Sequence, residues 1–253
     1  MSKGKSAKSS TRPSISPAMF RTTGPAAKLR VNDKCSKLYY FSEKIKVEQA
    51  RELALKEGAE LLSAAPDSLS VGAPALKYEF YCAYDAVMTM RFLVSKRHEL
   101  SVAESVVGVA IDKLVLQPTK GKEVPGPVVT VDMVELHEMK RSDSMVVDGQ
   151  TGLQAEVMAA LLKGPGKVAA TSAWLGKAKV VPGKFNSIDK VVKEIGKVVL
   201  RVPPNASRLV EASLDFKQLD GYYVPVYYVS VSHGGTSKIL RVNAVNGSVA
   251  LKV

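Results

Sequence analysis

The last 32 residues constrain the fold more than any other stretch. Residues 222–232 read YYVPVYYVSVS, and residues 233–237 hold a Gly-Gly turn. Residues 238–245 are again apolar and β-rich, and Asn246-Gly247 precedes a final run at 248–253. Short aromatic and β-branched runs divided by Gly-containing turns predict three antiparallel strands joined as a meander. Four of the nine tyrosines fall here: Tyr222, Tyr223, Tyr227 and Tyr228. Such rings can stack on bases. In a strand they more often pack a sheet face, and that is the expectation.

Helical periodicity appears upstream. Ala50, Leu53, Ala54, Gly58, Leu61 and Leu62 share one face of a helix predicted over 45–63, with Glu52, Lys56 and Glu60 opposite. Residues 64–74 read as a loop. Residues 78–94 are β-leaning around Tyr78, Phe80 and Tyr84 and ambiguous from Met88 onward. Residues 100–116 predict two strands broken near Gly108, and 117–127 a loop. Residues 128–140 predict a strand apolar on both faces, as in a sheet centre. Leu153, Val157, Ala160 and Leu161 predict a helix stopped by Gly164-Pro165-Gly166. Residues 167–181 suggest a strand or hairpin. Ser187 is placed as an N-cap before Ile188, Val191, Val192, Ile195, Val198 and Val199 at helical spacing. Mixed helices and strands give an α/β or α+β class.

With 46% apolar residues the chain can build a core, which excludes wholesale disorder. No apolar run reaches the roughly 18–20 residues of a membrane span, so no membrane partner is expected. A secretory leader is absent from the N-terminal pattern, so the protein is expected not to be secreted. Cys35 and Cys82 are too few for a disulfide framework or a four-cysteine metal site.

Charge is unevenly spread. The whole chain carries +12. Residues 1–34 carry +7, from Lys3, Lys5, Lys8, Arg12, Arg21, Lys28, Arg30 and Lys34 against Asp33. With three prolines and no apolar period, this segment reads as a flexible basic arm. Neutralising phosphates releases counterions, so such an arm favours a nucleic-acid partner. A merely solubilising tail is the plain alternative.

A phosphate loop, a serine elbow, HExxH and CxxC are all missing. His98, His137 and His233 are scattered and read as surface or structural residues. One constellation carries chemistry. Asp112 ends the run GVAID, Glu138-Met139-Lys140 follows on a predicted strand, and Gln154 comes after on a predicted helix. Glu138 and Lys140, two apart, project from one face of a strand. If Asp112 ends a neighbouring strand, its carboxylate and that of Glu138 could hold Mg²⁺ or Mn²⁺. The metal would activate water against a phosphodiester, with Lys140 stabilising charge. Read from these residues alone, a salt-bridged surface strand is the commoner explanation.

The order of segments HELSVAESVVGVAIDKLV, VELHEMKRSDS, GLQAEVMAALL and GKVAATSAWLGKAKVV resembles the CRISPR-associated RecB-type nucleases of the PD-(D/E)xK superfamily. The resemblance covers about residues 37–205. It implies a restriction-endonuclease-like central mixed sheet flanked by helices, followed here by the β-meander. It also implies catalytic roles for Asp112, Glu138, Lys140 and Gln154, with Asp112 and Glu138 as metal ligands. Three departures stand out. Leu62 occupies the family's histidine position, Ser42 an early cysteine position, and the C-terminal cysteines after Pro203-Pro204 are missing. No iron–sulfur cluster is therefore expected, and the four site residues read as vestigial. The chain is similar in kind to an inactivated nuclease-like nucleocapsid protein of archaeal filamentous viruses.

These readings divide the chain into a basic arm (1–34), a nuclease-like core (35–212) and a Tyr-rich meander (213–253). The expected function is a structural DNA-binding protein that grips phosphates without sequence preference and assembles as a homo-oligomer, in a virion or the host cytoplasm. The alternative is an active Mg²⁺-dependent nuclease using Asp112, Glu138 and Lys140. A third possibility is another nucleoprotein component with an accidental nuclease likeness.

Overall fold

The computed structural model describes residues 15–252. In chain order, β1 (Leu29–Asn32) and β2 (Ser36–Phe41) precede helix α1 (Val47–Leu61). Then come β3 (Ser70–Val71) and the 27-residue β4 (Ala75–Ser101). Strands β5 (Val109–Ile111) and β6 (Leu114–Leu116), then β7 (Thr119–Lys120), lead to the 22-residue β8 (Pro127–Asp148). Helix α2 (Glu156–Lys163), β9 (Lys167–Ala169), the one-turn α3 (Ser172–Leu175) and α4 (Ile188–Val199) follow. The 26-residue β10 (Arg208–His233), β11 (Thr236–Asn243) and β12 (Val249–Leu251) complete the chain.

Among the described residues, ten strands form one sheet in the order β12-β11-β10-β4-β8-β7. Strands β1, β2 and β3 also pair with β10, and β9 pairs with β2. β2 runs parallel to β10, whereas β3 and β11 run antiparallel to it, so the sheet is mixed. With few helices beside it, the architecture is α+β. β5 and β6 form a separate two-stranded sheet. The residues fall into two compact units, and β4, β8 and β10 each contribute a stretch to both. Among the described residues, no helix is long and apolar enough to cross a membrane.

The larger unit holds Arg30–Met88, Lys140–Leu200 and residues 213–252. Its helix α1 buries Ala50, Ala54 and Gly58, a stripe of small residues four apart. They pack on Tyr227, Val229, Val231, Leu240, Val242 and Ala244 of the meander. The close approach needs Gly58: a Cβ there would lie 3.1–3.2 Å from the Val231 side chain. A second cluster joins Leu161, Leu162 and Met158 of α2 to Phe41, Tyr81, Tyr222 and Val224.

The meander forms as the sequence predicts. β10, β11 and β12 pair antiparallel in succession. Gly234 and Gly235 fill a two-residue turn with φ of +55° and +82°. That is the primed turn geometry that suits strand twist and favours glycine. Tyr222, Tyr223, Tyr227 and Tyr228 are all buried, none more than 8% exposed. They pack the sheet and present no free face to a base. The meander strands belong to the same sheet as β4 and β8, and β10 begins as early as Arg208.

The smaller unit holds residues 15–29, Thr89–Met139 and Arg201–Ala212. Its core is Met90, Phe92, Val94, Leu209 and Ala212, covered by Ala27, Leu29 and Met139. Over residues 21–32 the structure departs from the reading of 1–34 as a flexible arm. The Ala27 N–H donates to the Leu209 carbonyl at 3.0 Å. Arg208 Nη1 donates to the carbonyls of Arg21 and Thr23 at 2.6 and 3.2 Å. Strand β1 pairs with β10. Burial of Ala27 and Leu29 against the core supplies the reason. Lys3, Lys5, Lys8 and Arg12 lie outside the described residues.

Three smaller differences follow from burial. β4 is continuous through the ambiguous stretch after Met88. Helix α2 starts at Glu156, leaving Leu153 and Val157 at 68% and 90% exposure instead of on a buried face. Residues 167–181 form β9 and α3 rather than a hairpin. Thr171 caps α3 by accepting from the Trp174 N–H at 3.2 Å, which stacks Trp174 on Tyr40.

Candidate functional site

The four residues singled out by the nuclease resemblance lie in three places: a hairpin turn, strand β8 and the stretch before α2. Asp112 is the first loop residue of the β5–β6 hairpin, where Ile111 pairs with Leu114. Its φ of +50° is left-handed, a region where Asp is found more often than most residues. Asp112 is therefore a turn residue. It is exposed. The condition that Asp112 end a strand neighbouring Glu138 is set against this topology: its hairpin is a two-stranded sheet apart from the one that carries Glu138.

Glu138 lies on β8, and Lys140 follows two residues later on the same strand, as predicted. The Glu138 carboxylate is engaged by an arginine. Arg91 on β4 donates from Nε and Nη2 to Glu138 Oε2 at 2.7 and 2.5 Å. Its third nitrogen, Nη1, reaches Glu211 on β10 at 3.0 Å. β4 runs between β8 and β10, so one guanidinium links carboxylates from both neighbouring strands. The Arg91 side chain is only 13% exposed, which limits solvent screening of these pairs.

Gln154 precedes α2 rather than sitting on it. Its amide donates to Glu156 Oε1 at 2.8 Å across the first turn. Among the described residues, no group of three or more His, Cys, Asp or Glu side chains is placed to hold a metal ion. A Mg²⁺ or Mn²⁺ centre needs converging oxygen ligands. Asp112 sits in the turn of a separate hairpin, and Glu138 meets Arg91.

Two ionic clusters escaped the sequence reading. His98 and His137 each place Nε2 2.8 Å from a different oxygen of Glu135. Hydrogen bonds from His137 and His98 hold the Glu135 carboxyl below the usual range. His137 also stacks on Phe92.

The second cluster is buried. Glu79 on β4 is 1% exposed and accepts from Tyr81 and Tyr228 hydroxyls at 3.0 and 2.7 Å. Arg241 on β11 donates to both of its oxygens. Burial works against the charged guanidinium, but the Glu79 carboxylate outweighs it and raises Arg241 above its ordinary value. A cavity of about 220 Å³ opens beside the pair. Glu79 is satisfied by Tyr81, Tyr228 and Arg241, so the pair reads as a structural tie between β4, β10 and β11. The available signal was a lone Glu in KYEFY and a lone Arg in ILRVN, each a charge inside an apolar strand.

Of the predicted nucleic-acid residues, Arg21, Lys28 and Arg30 are described, and all three are exposed. No family model matches the chain, and neither a curated protein nor a solved structure matches it.

Proposed function

We propose that this chain is a structural DNA-binding protein, nucleocapsid-like in kind, that holds the phosphate backbone without reading sequence. The observation that carries the reading is the +7 charge gathered on residues 1–34 of a +12 chain. Lysine and arginine neutralise phosphates wherever they meet them, so binding of this kind needs charge and reach rather than a pocket. On this reading the body carries the motif order of a RecB-type nuclease without a working metal centre. What supports that part is the arginine on Glu138 and the turn position of Asp112.

The test incubates purified full-length chain with an arbitrary duplex. Binding in EDTA, with the duplex recovered intact after Mg²⁺ or Mn²⁺ is added, is the expected result. Metal-dependent cutting that disappears in Glu138→Gln would replace this reading with the nuclease.

A further inference from the structure

Outside residues 1–34, the charge is sharply segregated. Residues 35–162 carry −4 and residues 201–253 carry +3. Residues 163–200, about one-seventh of the chain, carry +6 from eight lysines against Asp189 and Glu194. All eight lysines are exposed. A solvated surface of ordinary composition intersperses both signs.

Helix α4 gives part of this charge a geometry. Its buried residues include Ile188, Val191 and Val199. Lys190, Lys193 and Lys197 recur at steps of three and four, so they form one stripe. At 100° per residue that stripe is centred opposite the buried face. Ser187 fixes where the helix begins by accepting from the Lys190 N–H at 3.4 Å. Among the described residues Lys190 and Lys193 make no ion pair, and Lys190 bonds the neutral Asn186 amide at 2.8 Å. Lys197 meets Glu194 at 2.5 Å. A hydrogen bond from Lys197, then the charges of Lys197, Lys184 and Lys193, hold the Glu194 carboxyl below its ordinary range. Lys184, ahead of the helix, holds its Nζ over the Phe185 ring at 5.0 Å. Asp189 lies in the first turn, where a negative charge complements the helix dipole.

We propose that the solvent face of α4, with Lys190, Lys193 and Lys197 as contacts, is a phosphate-binding surface for duplex DNA, separate from residues 1–34. This rests on the DNA-binding reading above and adds a location to it. Seven residues of helix span roughly 10 Å, about three phosphates along one strand. Lysine is a flexible point charge, suited to phosphates and poor at bidentate base reading. Residues 163–200 contain no arginine and no glutamine. The contact is thus to backbone and carries no sequence preference.

The experiment uses the full-length chain carrying Lys190→Gln, Lys193→Gln and Lys197→Gln together. A control carries Lys44→Gln, Lys56→Gln and Lys238→Gln, three exposed lysines elsewhere with no ion pair. Duplex affinity is measured against salt concentration, with thermal melting to show that each variant folds. The α4 variant is expected to bind about tenfold or more weakly near 0.1 M salt. Its log–log salt slope should be shallower by about 2 to 3, since each phosphate contact contributes about 0.9. Lys→Arg at the same three positions should restore both. The control should keep the wild-type slope. Equal slopes in the α4 variant and the control overturn the assignment while leaving DNA binding in place. A wild-type chain that binds no duplex at all sinks the underlying reading instead. Binding of heparin or RNA but not duplex DNA overturns the choice of partner.

Discussion

Glu79 is the residue whose chemistry is most tightly bound to the fold. Its carboxylate holds Arg241 and two tyrosine hydroxyls at almost no exposure. Removing one partner of such a pair leaves an uncompensated charge, which typically costs about 3–5 kcal/mol. Glu79→Gln is expected to lose stability on that scale in denaturant unfolding. Replacing both residues, Glu79→Leu with Arg241→Met, should cost less than the single change. A single variant within about 1 kcal/mol of wild type would contradict the pair's role. The thiols offer a second test. Burial pushes the Cys82 thiol up to about 12, while Cys35 is only part-buried and donates to the Phe216 carbonyl at 3.3 Å. A thiolate is the reactive form. At neutral pH one thiol per native chain should label, and the second only on unfolding; two fast thiols would refute this. At this scale the sequence shows Glu138 and Lys140 on one strand, as the structure does. It does not show Arg91, 47 residues earlier, because that pairing depends on which strands become neighbours.

Elements were legible where one face is buried. Helices α1 and α4 announce themselves because apolar residues recur at 3.6 while charges take the other side. The Ser187 cap follows from residue type alone. Ser187→Ala should cost about 0.5–1 kcal/mol, the low end for a cap because the bond is 3.4 Å long. Unchanged melting in that variant would show the cap to be idle. Strand β4 was not legible through its full 27 residues. Its burial pattern reads BBBB over 79–82 and BBB over 92–94, so neither the period of 2 nor of 3.6 survives. The turn position of Asp112 was not legible for a related reason. A β-rich run ending in Asp looks the same whether the Asp ends a strand in a sheet or opens a two-residue turn.

Across the whole molecule, tyrosines and charge set the response to solution conditions. Burial raises Tyr81, Tyr84, Tyr222, Tyr227 and Tyr228 above the ordinary phenol value, Tyr227 to about 12. Carboxylates add to the effect: Tyr84 donates to Asp143 at 2.6 Å and Tyr227 to Glu43 at 3.1 Å. In the unfolded chain these groups ionise near 10. Above that pH the unfolded state binds fewer protons than the folded state, so stability falls as pH rises. Stability should be level between neutral pH and about 9. It should then drop through pH 10–12, with tyrosinate absorbance rising together with unfolding. Ionisation of all nine tyrosines near pH 10 without unfolding would contradict the burial of these five rings. The charge map is the other molecular property. A net +12 says only that a polyanion is favoured. Its division into residues 1–34, an acidic stretch and the lysine-rich 163–200 says where one would be held.

The most direct measurement is the affinity of the full-length chain for several unrelated duplexes as salt is raised, read with Mg²⁺ present and absent. The account predicts a log–log slope of about −5 or steeper, the same for every sequence, with all DNA recovered uncut. A salt-insensitive affinity, a strong preference for one sequence, or Mg²⁺-dependent cleavage would contradict it.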